Sequence, residues 1–129
     1  MSTEIKEFLK EVEFGEEKII AVDFDGVIHT SELGFHDGTV YGELLEGAAS
    51  ALEVLSNSYK VILMTSKANP KRPLINGKTG KELIWEWLKT KKLDHLISDI
   101  TYDKINASYY IDDKAIRFTD WQSTLKQII

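Results

Sequence analysis

Hydrophobic and polar positions alternate along this chain in two rhythms. Ile19 to Val22 is an unbroken apolar run, and Lys60 to Met64 carries a second one, Val-Ile-Leu-Met. Runs this short and continuous fit strands buried on both faces. Leu96 to Thr101 and Tyr109 to Ile111 read as two further strands, and Ile116 to Phe118 as a short edge strand. The segments between them follow helical spacing. Ile5, Phe8, Leu9 and Val12 predict a helix over 3–13, stopped by Gly15. Residues 46–57 predict a second, with Ala49, Leu52 and either Leu55 or Val54 inward and Asn57 as the stop. Leu83, Trp85, Trp87 and Leu88 give a third, over 82–91, an aromatic face. Thr119, with Gln122 three residues on, predicts a capping box for a last helix that buries Trp121, Leu125 and Ile128. Strands alternating with helices imply an α/β domain with parallel pairing and right-handed crossovers.

Two stretches fall outside both rhythms. Residues 29–45 are irregular, and Asp37-Gly38 predicts a small hairpin flap. His29 and His36 lie in this flap, where a lone histidine is ordinarily just a loop residue. Residues 66–81 hold Lys67, Lys71, Arg72, Lys78 and Lys81 with no acidic residue, two prolines, and an Asn76-Gly77 turn signal. A loop of this length in a small domain is often functional, and a solvated basic loop is the competing reading.

Composition narrows the classes. A chain of 129 residues, 43% hydrophobic and 29% charged, suits one soluble domain over 1–129. The net charge of −5 sets the overall field against nucleic acid and anionic membranes. With no cysteine, disulfides, thiol catalysis and thiolate metal sites are excluded. The polar, acidic N-terminus and the lack of any long apolar run make a cytoplasmic location the expectation.

The first apolar run ends in Asp23-Phe24-Asp25-Gly26. Side chains two apart on a strand share a face, so the carboxylates of Asp23 and Asp25 are expected to converge at the carboxyl end of a central strand. Two such charges 4 Å apart repel by about 1 kcal/mol in water and about 4 kcal/mol at an effective dielectric of 20. A cation or a proton between them removes that cost. Three other strands also end in polar groups: Thr65-Ser66, Lys104, and Asp112-Asp113.

These four sites, in this order, resemble the motifs of the haloacid-dehalogenase-like phosphatase superfamily. Asp23-Phe24-Asp25-Gly26-Val27 is similar to its Asp-x-Asp-Gly motif, Thr65 to its strand-ending Ser or Thr, Lys104 to its lysine, and Asp112-Asp113 to its acidic pair. The resemblance implies a Rossmann-like three-layer α/β/α fold with a mostly parallel central sheet. It implies Asp23 as nucleophile through an aspartyl-phosphate and Asp25 as general acid and base. Thr65, Ser66 and Lys104 would hold phosphate oxygens. Mg²⁺ would sit among Asp23, the Asp25 carbonyl and Asp112, with Asp113 as a neighbouring or alternative ligand. Lys67, Lys71 and Arg72 are candidate substrate contacts, Lys67 foremost because it stands two residues past Thr65.

Two departures stand out. Ile105, rather than proline, follows Lys104, and only seven residues separate Lys104 from Asp112. The gap is bridgeable: three strand spacings are roughly 14 Å, and seven extended residues reach about 23 Å. Neither 27–46 nor 66–81 has room for a cap, so no separate cap domain is expected. An open site would suit a large or polyanionic phosphorylated substrate, nucleic acid included only as substrate, or a partner subunit as lid; the oligomeric state is left open. A receiver-like phosphoacceptor domain is the alternative from another class, but it places its acidic pair first and its phosphorylated Asp after the third strand. A non-catalytic phosphate-binding protein is a third reading, opposed by Asp25.

Overall fold

The computed structural model describes residues 18–129, and the helix expected over 3–13 lies outside the described residues. The order of elements is β1 Ile19–Asp23, α1 Ala48–Ser56, β2 Lys60–Met64, α2 Gly80–Thr90, β3 Asp99–Thr101, β4 Tyr109–Ile111 and α3 Trp121–Ile128. The four strands form one sheet in the order β3-β2-β1-β4, with every pairing parallel. The fold is α/β, and the expected mostly parallel sheet is wholly parallel among the described residues. No separate domain interrupts it. Parallel strands all finish at one edge, so the residues that follow β1, β2, β3 and β4 meet there. Residues 102–108 carry the chain from β3 to β4 across the three strand spacings foreseen above.

Alternation along β1 and β2 sets the core. Ile20, Val22, Val61, Leu63 and Ile100 join Ala48 and Leu52 of α1 and Ile84, Trp87 and Leu88 of α2 in one buried cluster. Each such aliphatic side chain contributes about 1.5–3 kcal/mol by leaving water. Leu55, not Val54, is the inward residue of α1: Leu55 packs on the core and Val54 is 68% exposed.

α2 starts at Gly80, two residues before the expected position, because Thr79 and Glu82 form a capping box. Gly80 is required there by packing. A Cβ at this position would fall on the carbonyl oxygen of Lys67, so the root of the basic loop lies directly against the start of α2. The tip of that loop turns at Asn76-Gly77 as expected, both residues at positive φ, with Ile75 bridged to Lys78.

The flap is closed at its base by a single antiparallel bridge, His29 with Leu44, beside Thr30 N–H donating to Glu43 C=O, and its tip is a succession of turns, Gly34 N–H to Ser31 C=O and Gly38 N–H to Phe35 C=O. Four other local expectations are corrected. β3 is shorter than expected, because Asp94–Leu96 is a 3₁₀ turn. Residues 116–118 are not a strand. The last helix is capped by Asp120, whose carboxylate accepts from Ser123 N–H, one residue later than the Thr119 box. Its expected buried stripe faces out: Trp121 is 68%, Leu125 47% and Ile128 65% exposed, while Thr124 is the buried position.

Candidate functional site

The site begins where β1 ends. Phe24, fully buried, accepts at its carbonyl from the N–H groups of Ile28 and His29, and Gly26 N–H donates to the carbonyl of His29. The turn is closed by Gly26 at φ +84, a conformation that L side chains avoid. A side chain there would also collide with Asp113. This tight turn fixes Asp23 at the sheet edge and sends the chain back toward Asp25 and His29.

Asp23, Asp112 and Asp113 converge, each offering an oxygen within 4.8 Å of the others. Asp23 comes from the end of β1 and the pair from the end of β4, which lies beside it in the sheet. The Asp23 carboxyl is pushed up to about 6, chiefly by burial. The charges of Asp112 and Asp113 push the same way, and the N–H of Phe24, 2.8 Å from Oδ1, opposes them. Asp112 is oriented by its own loop, with Oδ1 accepting from the N–H groups of Lys114 and Ala115. Three crowded carboxyl groups, all hard oxygen donors, fit a divalent cation such as Mg²⁺ or Ca²⁺. Asp113 belongs to the cluster on equal terms with Asp112.

Asp25 faces elsewhere. Its Oδ2 accepts from Lys67 Nζ at 2.7 Å, and its Oδ1 from His29 Nδ1 at 2.9 Å. Both donors are fully buried. Gly42 N–H donates to His29 Nε2 at 2.7 Å. A nitrogen that accepts from a backbone N–H carries no proton, so His29 is the neutral Nδ1–H tautomer. Burial acts in the same direction, lowering the His29 pKa below its ordinary value. Phe24 stacks parallel on the His29 ring at 5.1 Å, and Trp87 stands edge-on to both while its Nε1–H donates to Gly42 C=O. The aromatic face of α2 therefore sets the histidine, and the histidine helps set Asp25.

The other sequence candidates distribute as follows. Thr65 is buried at the end of β2, its hydroxyl accepting from Lys67 N–H, and Ser66 follows it, exposed. Both line the clefts on either side of Asp23. One cleft, about 280 Å³, runs over Met64, Tyr102, Tyr110 and Asp112. The other, about 390 Å³, runs past Asp25, Ser31, Phe35, Asp113 and Lys114. Lys104 is exposed with its ammonium over the Tyr110 ring at 5.5 Å, and it lines neither of these two clefts. Lys67 departs from expectation: it turns inward to Asp25 instead of outward to a substrate. Arg72 stacks on Phe35 at 4.1 Å, and Lys71 is exposed.

Sequence reasoning set His29 down as an ordinary loop residue, where the fold buries it against Asp25, and did not single out Phe35. The available signal for His29 was its place four residues past Asp25, within the same tight turn. Phe35 offered none, since its neighbours are cations distant in sequence. Comparison with protein-family models, curated proteins and solved structures gives no match.

Proposed function

We propose that this protein is a divalent-cation-dependent phosphomonoesterase acting through an aspartyl-phosphate on Asp23. The observation that carries the reading is the convergence of Asp23, Asp112 and Asp113 at the carboxyl edge of a parallel sheet, with Thr65 and Ser66 beside them. The resemblance of Asp23-Phe24-Asp25-Gly26, Thr65, Lys104 and Asp112-Asp113 to the haloacid-dehalogenase-like pattern supports it.

Asp23, Asp112 and Asp113 would hold Mg²⁺, which supplies positive charge to phosphoryl oxygens and relieves the repulsion among the carboxylates. An Asp23 carboxylate oxygen attacks phosphorus, and the P–O bond to the leaving alcohol breaks. Asp25 gives that alcohol its proton. Water then attacks the aspartyl-phosphate, Asp25 takes the proton, and the P–O bond to Asp23 breaks to release phosphate. The Thr65 and Ser66 hydroxyls and the Lys104 ammonium would hold phosphoryl oxygens. Asp25 now accepts at both oxygens, so proton transfer requires a substrate oxygen to replace Lys67 or His29 on it.

That requirement favours a second reading. If Lys67 keeps its hold on Asp25, the aspartyl-phosphate persists and the protein acts as a phosphoacceptor. Steady release of phosphate from para-nitrophenyl phosphate with Mg²⁺ supports the first reading. A single equivalent of stable phosphorylation from acetyl phosphate supports the second. Asp23→Asn is expected to remove either activity, with turnover falling at least about 10³-fold, in a protein that circular dichroism shows to be folded. Near wild-type activity in that variant excludes Asp23 as the nucleophile.

A further inference from the structure

We propose that the cleft between the flap and the carboxylate cluster is a leaving-group subsite for ring-bearing phosphate monoesters, with Phe35 as its aromatic wall; this rests on the phosphoryl-transfer reading above. Three observations carry it. First, Phe35 lines the same cleft as Asp23, Asp113, Thr65 and Ser66, so a group bonded to a phosphoryl at Asp23 has the flap beside it. Second, Phe35 remains 39% exposed although it lies among charged residues. A large apolar ring left open to a cleft is a binding surface where a single exposed side chain elsewhere is not. Third, the ring is held from outside the flap. Arg72 of the basic loop stacks on it at 4.1 Å, and the buried Lys67 ammonium lies 4.9 Å from its centroid. The Arg72 guanidinium also occupies the space a side chain on Gly38 would need.

The two cations make the wall rigid. Cation–π attraction strengthens when the cation is desolvated, as Lys67 is. The flap is closed at its base by the His29–Leu44 bridge and within by the Tyr41 hydroxyl on Leu33 N–H and Gly34 C=O, and this clasp to 66–81 fastens its Phe35 tip from outside. The cleft mixes this ring with the Ser31 hydroxyl and the Lys114 side chain at its rim. A ring edge or face packs on Phe35 while polar substituents meet those groups. The 390 Å³ volume accommodates a single sugar or aromatic ring. Short-chain alkyl phosphates would leave Phe35 uncovered.

Binding separates this proposal from the catalytic reading. Phenylphosphonate and methylphosphonate, which cannot be hydrolysed, are titrated with Mg²⁺ into wild type, Phe35→Ala and Phe35→Tyr by calorimetry. Aromatic contacts of this kind are worth about 3- to 10-fold in affinity. Wild type and Phe35→Tyr should prefer phenylphosphonate by that factor, and Phe35→Ala should lose the preference while binding methylphosphonate as before. Hydrolysis of phenyl phosphate should show the same loss in KM rather than kcat. Equal affinity of wild type for the two phosphonates, or a preference that survives in Phe35→Ala, overturns the subsite and leaves the phosphoryl site standing. Failure of both phosphonates to bind wild type overturns the phosphoryl site and the subsite with it.

Discussion

At Asp23 burial and two neighbouring carboxylates work against the charge the proposed chemistry needs. The fold holds this proton more tightly than the unfolded chain does, with a pKa near 6 against an ordinary 3.8. Its contribution to stability is therefore fully present below pH 3.8 and is lost as pH rises through 6. In the absence of divalent cation most of that contribution is gone by pH 7, and because solvent screens a half-buried group it amounts to about 1–2 kcal/mol. Asp37, Glu82, Asp99 and Asp120 have lowered pKa values and act in the opposite sense at lower pH. The effect of Asp23 is thus best read as a difference between wild type and Asp23→Asn. Urea unfolding in chelator should show Asp23→Asn gaining on wild type between pH 4.5 and pH 7, and Mg²⁺ should close the gap at pH 7. A gap that stays constant with pH would mean that Asp23 is an ordinary solvated carboxylate.

Lys67 poses a different residue-scale problem. Its ammonium is fully buried and bonded to Asp25. Lys67→Met leaves Asp25 with a half-satisfied carboxylate, and breaking such a pair costs about 3 kcal/mol. Asp25 is 21% exposed, so water will recover part of this. Adding Asp25→Asn to Lys67→Met should restore much of the lost stability, since the uncompensated charge goes with it. Thermal melts of the two single variants and the double variant give the coupling; strict additivity would mean the pair contributes nothing of its own.

At the scale of elements, the sequence was most readable where apolar runs were short and unbroken. β1, β2 and β4 stand where Ile19–Val22, Lys60–Met64 and Tyr109–Ile111 placed them, and the strand ends brought Asp23 and Asp112-Asp113 together as the parallel order requires. Helix starts were less legible, because more than one residue offered a cap. Thr119-x-x-Gln122 and Asp120-x-x-Ser123 overlap by one position. The carboxylate won, taking Ser123 N–H at 2.8 Å and its hydroxyl at 3.0 Å. An anionic cap also interacts favourably with the helix dipole, consistent with the lowered pKa of Asp120. Asp120→Ala should lower the melting temperature and fray the first turn of α3, whereas Thr119→Ala should change little. Amide exchange at the first turn of α3 distinguishes the two: faster exchange in Thr119→Ala than in Asp120→Ala would reverse the assignment.

At the scale of the whole molecule, contacts between segments distant in sequence were the part no local pattern encoded. The flap, the basic loop and the first turn interlock through Lys67 with Asp25, Arg72 with Phe35, and His29 with Gly42. These pairings change what the basic stretch 66–81 can do. Read as sequence, its five cations suggest a grip for a polyanionic substrate. In the fold, Lys67 is bonded to Asp25, Arg72 lies on Phe35, Lys78 pairs with Glu86 at 2.5 Å and Lys81 with Asp99 at 3.0 Å. Four of the five are engaged within the chain, and Lys71 is the one left exposed without such a pairing among the described residues. A single exposed cation is worth about 1 kcal/mol or less against a phosphate and is weakened by salt. If the protein hydrolyses a phosphate at the end of an anionic polymer, Lys71→Ala should raise KM for it no more than about 5-fold at low salt, with kcat unchanged. The same variant should treat para-nitrophenyl phosphate as wild type does. A much larger, strongly salt-dependent loss confined to the polymer would show that the loop releases its internal pairings to bind substrate, and that the whole stretch acts as a polyanion grip.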